Sequence, residues 1–319
     1  MNISNTKLSG TIVFSSGVSG DFDIWTLDLA TQKLTQLTHG TNLNDMPKWS
    51  PDGKSIVFVS DRENGVPDIW IMNADGTNQT NLTKSNKYHS EPSWSPDGKH
   101  IVCVANYQDS ENLDIYALNA DGTGTPELVV SSKGREAGPC LSPDGKYLLF
   151  SSTRSGNEDI WEYNIATQEL IQVTSHPARD FGAVYSPNGS QIAFITEADE
   201  HSAQDASDDA DVWVMSRDGL TEYPITKNSK SDRYVAWSPD SKHVICASRK
   251  TFCNADRLNI FEVATCRQMP FDYLRRDLEN EIGAHVHQSL LTSLIGDGVA
   301  RAFYGENYFG HERYPHWKA

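Results

Sequence analysis

Apolar residues in this chain come in short runs instead of long amphipathic stretches. Ile56-Val57-Phe58-Val59, Ile101-Val102-Cys103-Val104 and Leu148-Leu149-Phe150-Ser151 each follow a polar turn written Ser-Pro-Asp-Gly or a near variant, which begins at Ser50, Ser95, Ser142, Ser186 and Ser238. Runs of this length between turn signals read as strands. A second phrase, Asp-Ile-Trp or a relative, begins at Asp23, Asp68, Asp114, Asp159, Asp211 and, weakened, Asn259. After it the chain alternates apolar and polar residues and meets another turn, as in Asn73-Ala74-Asp75-Gly76, Asn119-Ala120-Asp121-Gly122 and Ser216-Arg217-Asp218-Gly219. Asp-Gly between alternating segments marks a hairpin, because glycine accepts positive φ without steric cost.

These signals recur with a period of roughly 45 residues, the mark of a repeat architecture. Each repeat holds four strands, which is a propeller blade, and six copies make an all-β fold, a six-bladed antiparallel β-propeller. Tyr314-Pro315-His316-Trp317 matches the phrases Met46-Pro47-Lys48-Trp49 and Glu91-Pro92-Ser93-Trp94, whereas Thr11-Ile12-Val13-Phe14 has no such phrase before it. The termini therefore complete one repeat between them, with a closing strand at 312–317 joined to 10–38. A single propeller domain is expected over 1–319, with 271–311 as an insert. Within the insert, 274–282 is rich in helix formers, and 290–295 and 299–304 flank Gly296-Asp297-Gly298 as a hairpin.

Pro-x-Trp-Ser-Pro-Asp-Gly-Lys, an apolar strand, Asp-Ile-Trp and a closing Leu-Thr (Leu37-Thr38, Leu82-Thr83) resemble the WD40-like, or PD40, repeats of TolB-type propellers over about 7–270 and the last residues. The resemblance implies the propeller fold and a first strand nearest the axis. It also implies a channel of the kind that holds calcium in that family. The function it implies is a binding module that presents its channel mouth to a protein partner or a small charged ligand. TolB itself carries an α/β domain before its propeller and is exported to the periplasm. Residues 1–10 are polar, without the apolar core of a secretory signal, so the expected location is the cytoplasm, or the periplasm if a leader has been removed.

Charge narrows the partners. A formal net charge of −16 without a basic stripe disfavours nucleic acid, and no run reaches the ~20 apolar residues of a membrane span. Related propellers precede the hydrolase domain of prolyl peptidases, but the Gly-x-Ser-x-Gly elbow is missing, so serine peptidase activity is not expected. Of five cysteines, Cys103, Cys140 and Cys246 fall on strands and read as buried apolar residues, while Cys253 and Cys266 are the one candidate pair. The recurring aromatics, Trp49, Trp94, Tyr185, Trp237 and Trp317 on first strands and Trp25, Trp70, Tyr116, Trp161, Trp213 and Phe261 on third strands, read as packing between blades in preference to sugar platforms.

Candidate chemistry lies just before the first-strand aromatic, where each repeat carries an acid: Asp45, Glu91, Glu136, Asp180, Asp232 and Glu312. Arginine neighbours four of them, as Arg135, Arg179, Arg233 and Arg313. By the resemblance these residues surround one mouth of the channel. Strict alternation gives Glu91, Glu136, Asp180, Asp232 and Glu312 one strand face and Asp45 the other. Carboxylates about 10 Å apart at an effective dielectric near 20 would repel by roughly 1.7 kcal/mol per neighbouring pair. Either ion pairs between blades or a bound cation or ligand must offset that.

The acidic stretch 197–211 lacks the glycine and the alternating ligands of a calcium loop and reads as a solvated loop. His285 and His287, two apart on a strand, could share a metal with His311. Oligogalacturonate lyases are propellers of related repeat with a histidine- and glutamine-bound metal, but their longer histidine motif is not matched here. The second functional reading is a metal-assisted lyase or hydrolase on an anionic saccharide or other small substrate, with Arg179 and Arg233 holding substrate carboxylates. No cofactor is fixed by the sequence; a divalent cation, calcium or manganese, is the candidate. The insert 271–311 could cap the pocket, form two strands of an incomplete further blade or make a homo-oligomer contact.

Overall fold

The computed structural model describes residues 10–16, 21–108, 112–197, 210–227, 232–249 and 256–268, and the strands at 293–296 and 298–299. They form six antiparallel sheets and no helix among the described residues. Blade 1 contains β1 (Thr11–Ser16), β2 (Asp23–Asp28) and β3 (Lys33–Gln36). Blade 2 is β4 (Asn44–Trp49), β5 (Ser55–Ser60), β6 (Asp68–Asn73) and β7 (Thr80–Asn81). Blade 3 is β8 (His89–Trp94), β9 (His100–Ala105), β10 (Asp114–Asn119) and β11 (Glu127–Val130). Blade 4 is β12 (Glu136–Leu141), β13 (Tyr147–Ser152), β14 (Asp159–Asn164) and β15 (Leu170–Gln172). Blade 5 is β16 (Asp180–Tyr185), β17 (Gln191–Thr196), β18 (Asp211–Ser216) and β19 (Glu222–Pro224). Blade 6 is β20 (Asp232–Trp237), β21 (His243–Arg249), β22 (Asp256–Glu262) and β23 (Arg267–Gln268). A hairpin of β24 (Ser293–Gly296) and β25 (Gly298–Val299) completes the first sheet, in the order β25-β24-β1-β2-β3.

The repeated phrases explain the blades. In Ser-Pro-Asp-Gly the serine hydroxyl donates to the aspartate, Ser50 Oγ to Asp52 Oδ1 at 2.7 Å, and accepts from Ser55 N at 2.9 Å. Gly53, at φ +68°, closes the turn with its N–H on Ser50 O. The same serine bond recurs at Ser95, Ser142, Ser186 and Ser238. In Asp-Ile-Trp the aspartate is locked by the threonine that ends its own blade: Thr83 Oγ1 donates to Asp68 Oδ1 at 2.6 Å and accepts from Ile69 N at 3.1 Å. Thr38 does this for Asp23 and Thr226 for Asp211. A buried carboxylate held by such bonds fixes the outer strands against the third.

Packing buries the described first-strand aromatics, as expected, while Trp25, Trp161 and Trp213 of the third strands are half-buried. Trp49, Trp94, Tyr185 and Trp237 are all buried. Trp94 Nε1 donates to Lys48 O of the preceding blade at 3.1 Å, and Trp237 Nε1 to Val184 O at 3.3 Å. Cys103, Cys140 and Cys246 are buried and Cys266 is exposed; Cys253 lies outside the described residues.

The first strands β24, β4, β8, β12, β16 and β20 each approach the next, and β20 and β4 both neighbour β24, so the ring closes. Within blade 1, the described strand beside β1 is β24. Ser293–Gly296 pairs with β1 in the register Thr11↔Ile295, Ile12↔Leu294, Val13↔Ser293, while 312–317 lies outside the described residues, as does the expected helix at 274–282. The hairpin is present, with Ile295 opposite Val299.

A chain ending at Met269 would lose those three paired positions. At about 1 kcal/mol of net stabilisation each, this costs roughly 3 kcal/mol, or on the order of 5–10 °C in melting temperature. Calorimetry should show that drop; an unchanged melting temperature would contradict closure through β24.

Candidate functional site

The residues at the start of each first strand are placed by a bulge. In blades 2 to 6 the third residue of that strand has left-handed φ: Met46 at 54°, Glu91 at 56°, Gly138 at 60°, Gly182 at 62° and Tyr234 at 60°. At the same place the register to the second strand slips, for example between Asp45 and Lys48 and between Ser90 and Ser93. One extra residue resets alternation, which corrects the expectation of a shared face. Glu136, Asp180 and Asp232 are first residues of their strands, Asp45 is a second residue and Glu91 sits in the bulge itself. All five are buried. Glu312, Arg313, His285, His287 and His311 lie outside the described residues, as does the side chain of Arg233.

Arginines do offset the buried acids, though not between chain neighbours. Arg135 lies 3.9 Å from Glu91 of the preceding blade, and Glu91 also accepts a bond from Gly138 N. Glu136 pairs instead with Arg154 at 2.8 Å. Arg179 reaches Glu158 at 2.8 Å and Glu197 at 3.5 Å. Burial pushes the Glu91 and Glu158 carboxyls up, against the pull of Arg135 on both, of Lys48 on Glu91 and of Arg179 on Glu158. Lys48, Glu91, Arg135, Glu158, Arg179 and Glu197 thus form an alternating array across blades 2 to 5. Its most exposed members are cations: the side chains of Arg179 and Arg135 are 41% and 30% accessible, against 23% for Glu197. Repeat spacing does not single out Glu158 and Glu197, because they precede β14 and follow β17 and so share no position with the first-strand acids.

Asp180 opens its strand as Glu136 does, but hydrogen bonds from Thr196 and Thr174 hold it where a guanidinium holds Glu136. It lines a cleft of ≈ 580 Å³ between blades 4 and 5. The walls include Thr174 and His176 from the crossover, Phe194 and Thr196 from β17, Trp213 from β18 and Glu222 from β19. Asp180 is only 2% exposed, and burial pushes its carboxyl up to about 6 against those hydrogen bonds, with Asp159 adding to the rise.

A calcium ion does not fit the described carboxylates. They lie at three strand positions, Glu91 and Glu136 are already engaged by Arg135 and Arg154, and no three His, Cys, Asp or Glu side chains among the described residues converge as a metal site.

Residues 9–125 match the family described as the TolB beta propeller domain, PD40. A Tol-Pal system protein TolB from Francisella tularensis subsp. mediasiatica is 30% identical over 235 residues, covering 72% of this chain and 52% of that protein. TolB from Acinetobacter baumannii superposes with a TM-score of 0.67 at 20% identity, over 82% of this chain and 63% of that one. Oligogalacturonate lyase from Vibrio parahaemolyticus superposes with a TM-score of 0.53 at 16% identity, over 82% and 73% of the two chains, a likeness of fold alone. The chain spans about half or less of the length of the curated relatives it matches.

Two outcomes test these electrostatics. Arg154→Ala leaves Glu136 buried without its cation and should cost about 3–5 kcal/mol in urea unfolding; adding Glu136→Gln should restore part of it, and no cost would contradict the pairing. Asp180 keeps its proton longer in the folded than in the unfolded state. Its effect is therefore neutral below about pH 4, and stability falls as pH rises to about 6. Asp180→Asn should flatten that fall and raise stability at pH 7 by up to roughly 3 kcal/mol; an unchanged profile between pH 4 and 6 would contradict it.

Proposed function

The chain belongs to the TolB-like six-bladed β-propellers of PD40 repeats, and from that premise we propose that it is a non-catalytic binding module whose channel face engages a protein partner in a Tol-Pal-type assembly. One observation carries this reading. Buried Glu91 and Glu158 position Arg135 and Arg179 so that their guanidinium groups stand partly exposed on an otherwise strongly acidic protein. Pre-ordered arginines of this kind suit recognition of carboxylates on a partner or on a small anionic ligand.

The relatives' names support the periplasm over the cytoplasm, and the expected cytoplasmic location finds no support in them. The catalytic alternative depends on His285, His287 and His311, outside the described residues, and no described feature favours it.

Calorimetric titration with the Pal component of the same organism tests the proposal. Binding is expected, weakened about tenfold by Arg179→Ala while the melting temperature moves by only a few degrees. No binding by the unmodified protein, or an affinity indifferent to Arg179→Ala, would sink it.

A further inference from the structure

Blades 2, 3 and 4 fill the same gap in the same way. The residue two positions after the second strand folds back over the facing side chains of the second and third strands and reaches the first residue of the first strand. In blade 2 this is Arg62, whose guanidinium carbon lies 5.4 Å from the Phe58 ring and 4.6 Å from the Trp70 ring. Its Nε donates to Ser60 Oγ at 2.9 Å, and its terminal nitrogens donate to Asn44 Oδ1 and Gln79 Oε1. In blade 4 Arg154 lies over Phe150 at 5.1 Å and Trp161 at 5.3 Å and bonds Ser152 and Glu136, each at 2.8 Å. In blade 3 Tyr107 meets Tyr116 edge-on at 4.8 Å, and its hydroxyl is 2.7 Å from His89 Nε2.

Blade 5 keeps the walls and changes the filler. Phe194 faces Trp213 across the ladder as Phe58 faces Trp70, Thr196 ends its strand as Ser60 does, and Asp180 opens its first strand as Asn44 does. Register also puts Glu222 where Gln79 stands, two residues before the partner of the tryptophan. The residue two positions after β17 is Ala198, and no lysine or arginine occurs from 198 to 209. The corresponding walls line the cleft of ≈ 580 Å³. Both amide positions that receive the guanidinium in blade 2 are carboxylates in blade 5, so this gap is more anionic than its sisters and has no arginine of its own at that position.

We propose that the blade 5 cleft is an arginine socket, which takes a guanidinium group from a partner polypeptide against Phe194 and Trp213 with the Asp180 and Glu222 carboxylates accepting its N–H bonds. The planar cation matches aromatic faces and paired carboxylates where lysine would supply only a point charge. The inference extends the reading of the channel face as a docking surface and rests on it for the source of the arginine, yet the socket itself can be tested without any partner.

The test follows the tryptophan indole N–H signals of the whole protein by ¹⁵N NMR during titration with N-acetyl-arginine amide and with its uncharged citrulline analogue. A saturable shift at Trp213 is expected with the arginine compound, at least tenfold weaker with citrulline. Ala198→Arg, which restores the filler of blades 2 and 4, should abolish the shift, and Glu222→Gln, at an exposed position, should weaken binding at least threefold with the other indole signals unmoved. No shift at Trp213, equal response to citrulline, or undiminished binding by Ala198→Arg would overturn the socket. Those failures would leave Pal binding intact, whereas a working socket without Pal binding would remove only the proposed partner.

Discussion

A backbone bulge at the third residue of the first strand governs where the charged groups of that strand point. It recurs at Met46, Glu91, Gly138, Gly182 and Tyr234 with left-handed φ, although three of these residues carry side chains that make this conformation costly by about 1–2 kcal/mol. The surrounding ring enforces it. First strands come so near the axis that a Cβ on Gly138 would sit 4.0 Å from the Gly182 Cα. Glu91, carried in its own bulge, hands a carboxylate oxygen to Gly138 N in the next one. The bulge is thus both a bend that lets six sheets converge and a device that turns one acid sideways along the ring.

Above the bulge each blade meets a second demand, a gap between its second and third strands that water would otherwise occupy beside aromatic rings. Arg62, Tyr107 and Arg154 meet it with chemically different side chains, each matched to the residue that starts its first strand: Asn44, His89 or Glu136. The partner at that position follows the filler, amide or carboxylate with guanidinium and imidazole with phenol. Blade 5 breaks the correlation by combining Asp180 with Ala198. Among blades 2 to 5, blade 5 is the one whose residue at that position carries neither a ring nor a charge.

Fold was legible in the sequence because turns and strand lengths repeat, and each recurring phrase does one local physical job. Ser50 and Asp52 close a turn, and Asp68 and Thr83 lock a blade. The site was harder to read. Arg135 and Glu136 are adjacent in the chain but pair with Glu91 and Arg154, choices made by contact across strands that no spacing rule reveals. Alternation failed at the bulge, since a left-handed Glu91 or Tyr234 carries no glycine to announce it. The missing arginine of blade 5 was visible in principle, as Arg62, Tyr107, Arg154 and Ala198 stand at equal distances from their turns, but its meaning depends on knowing what surrounds an arginine there.

Blade 5 supplies no arginine of its own at the position from which Arg62 and Arg154 fill blades 2 and 4. A crystal structure of the protein soaked in a low concentration of guanidinium chloride tests whether the cleft takes that ion from solution. The socket requires a planar ion lying over Phe194 and Trp213, bonded to Asp180 and Glu222. Clear density elsewhere on the surface with solvent alone in that cleft would contradict it.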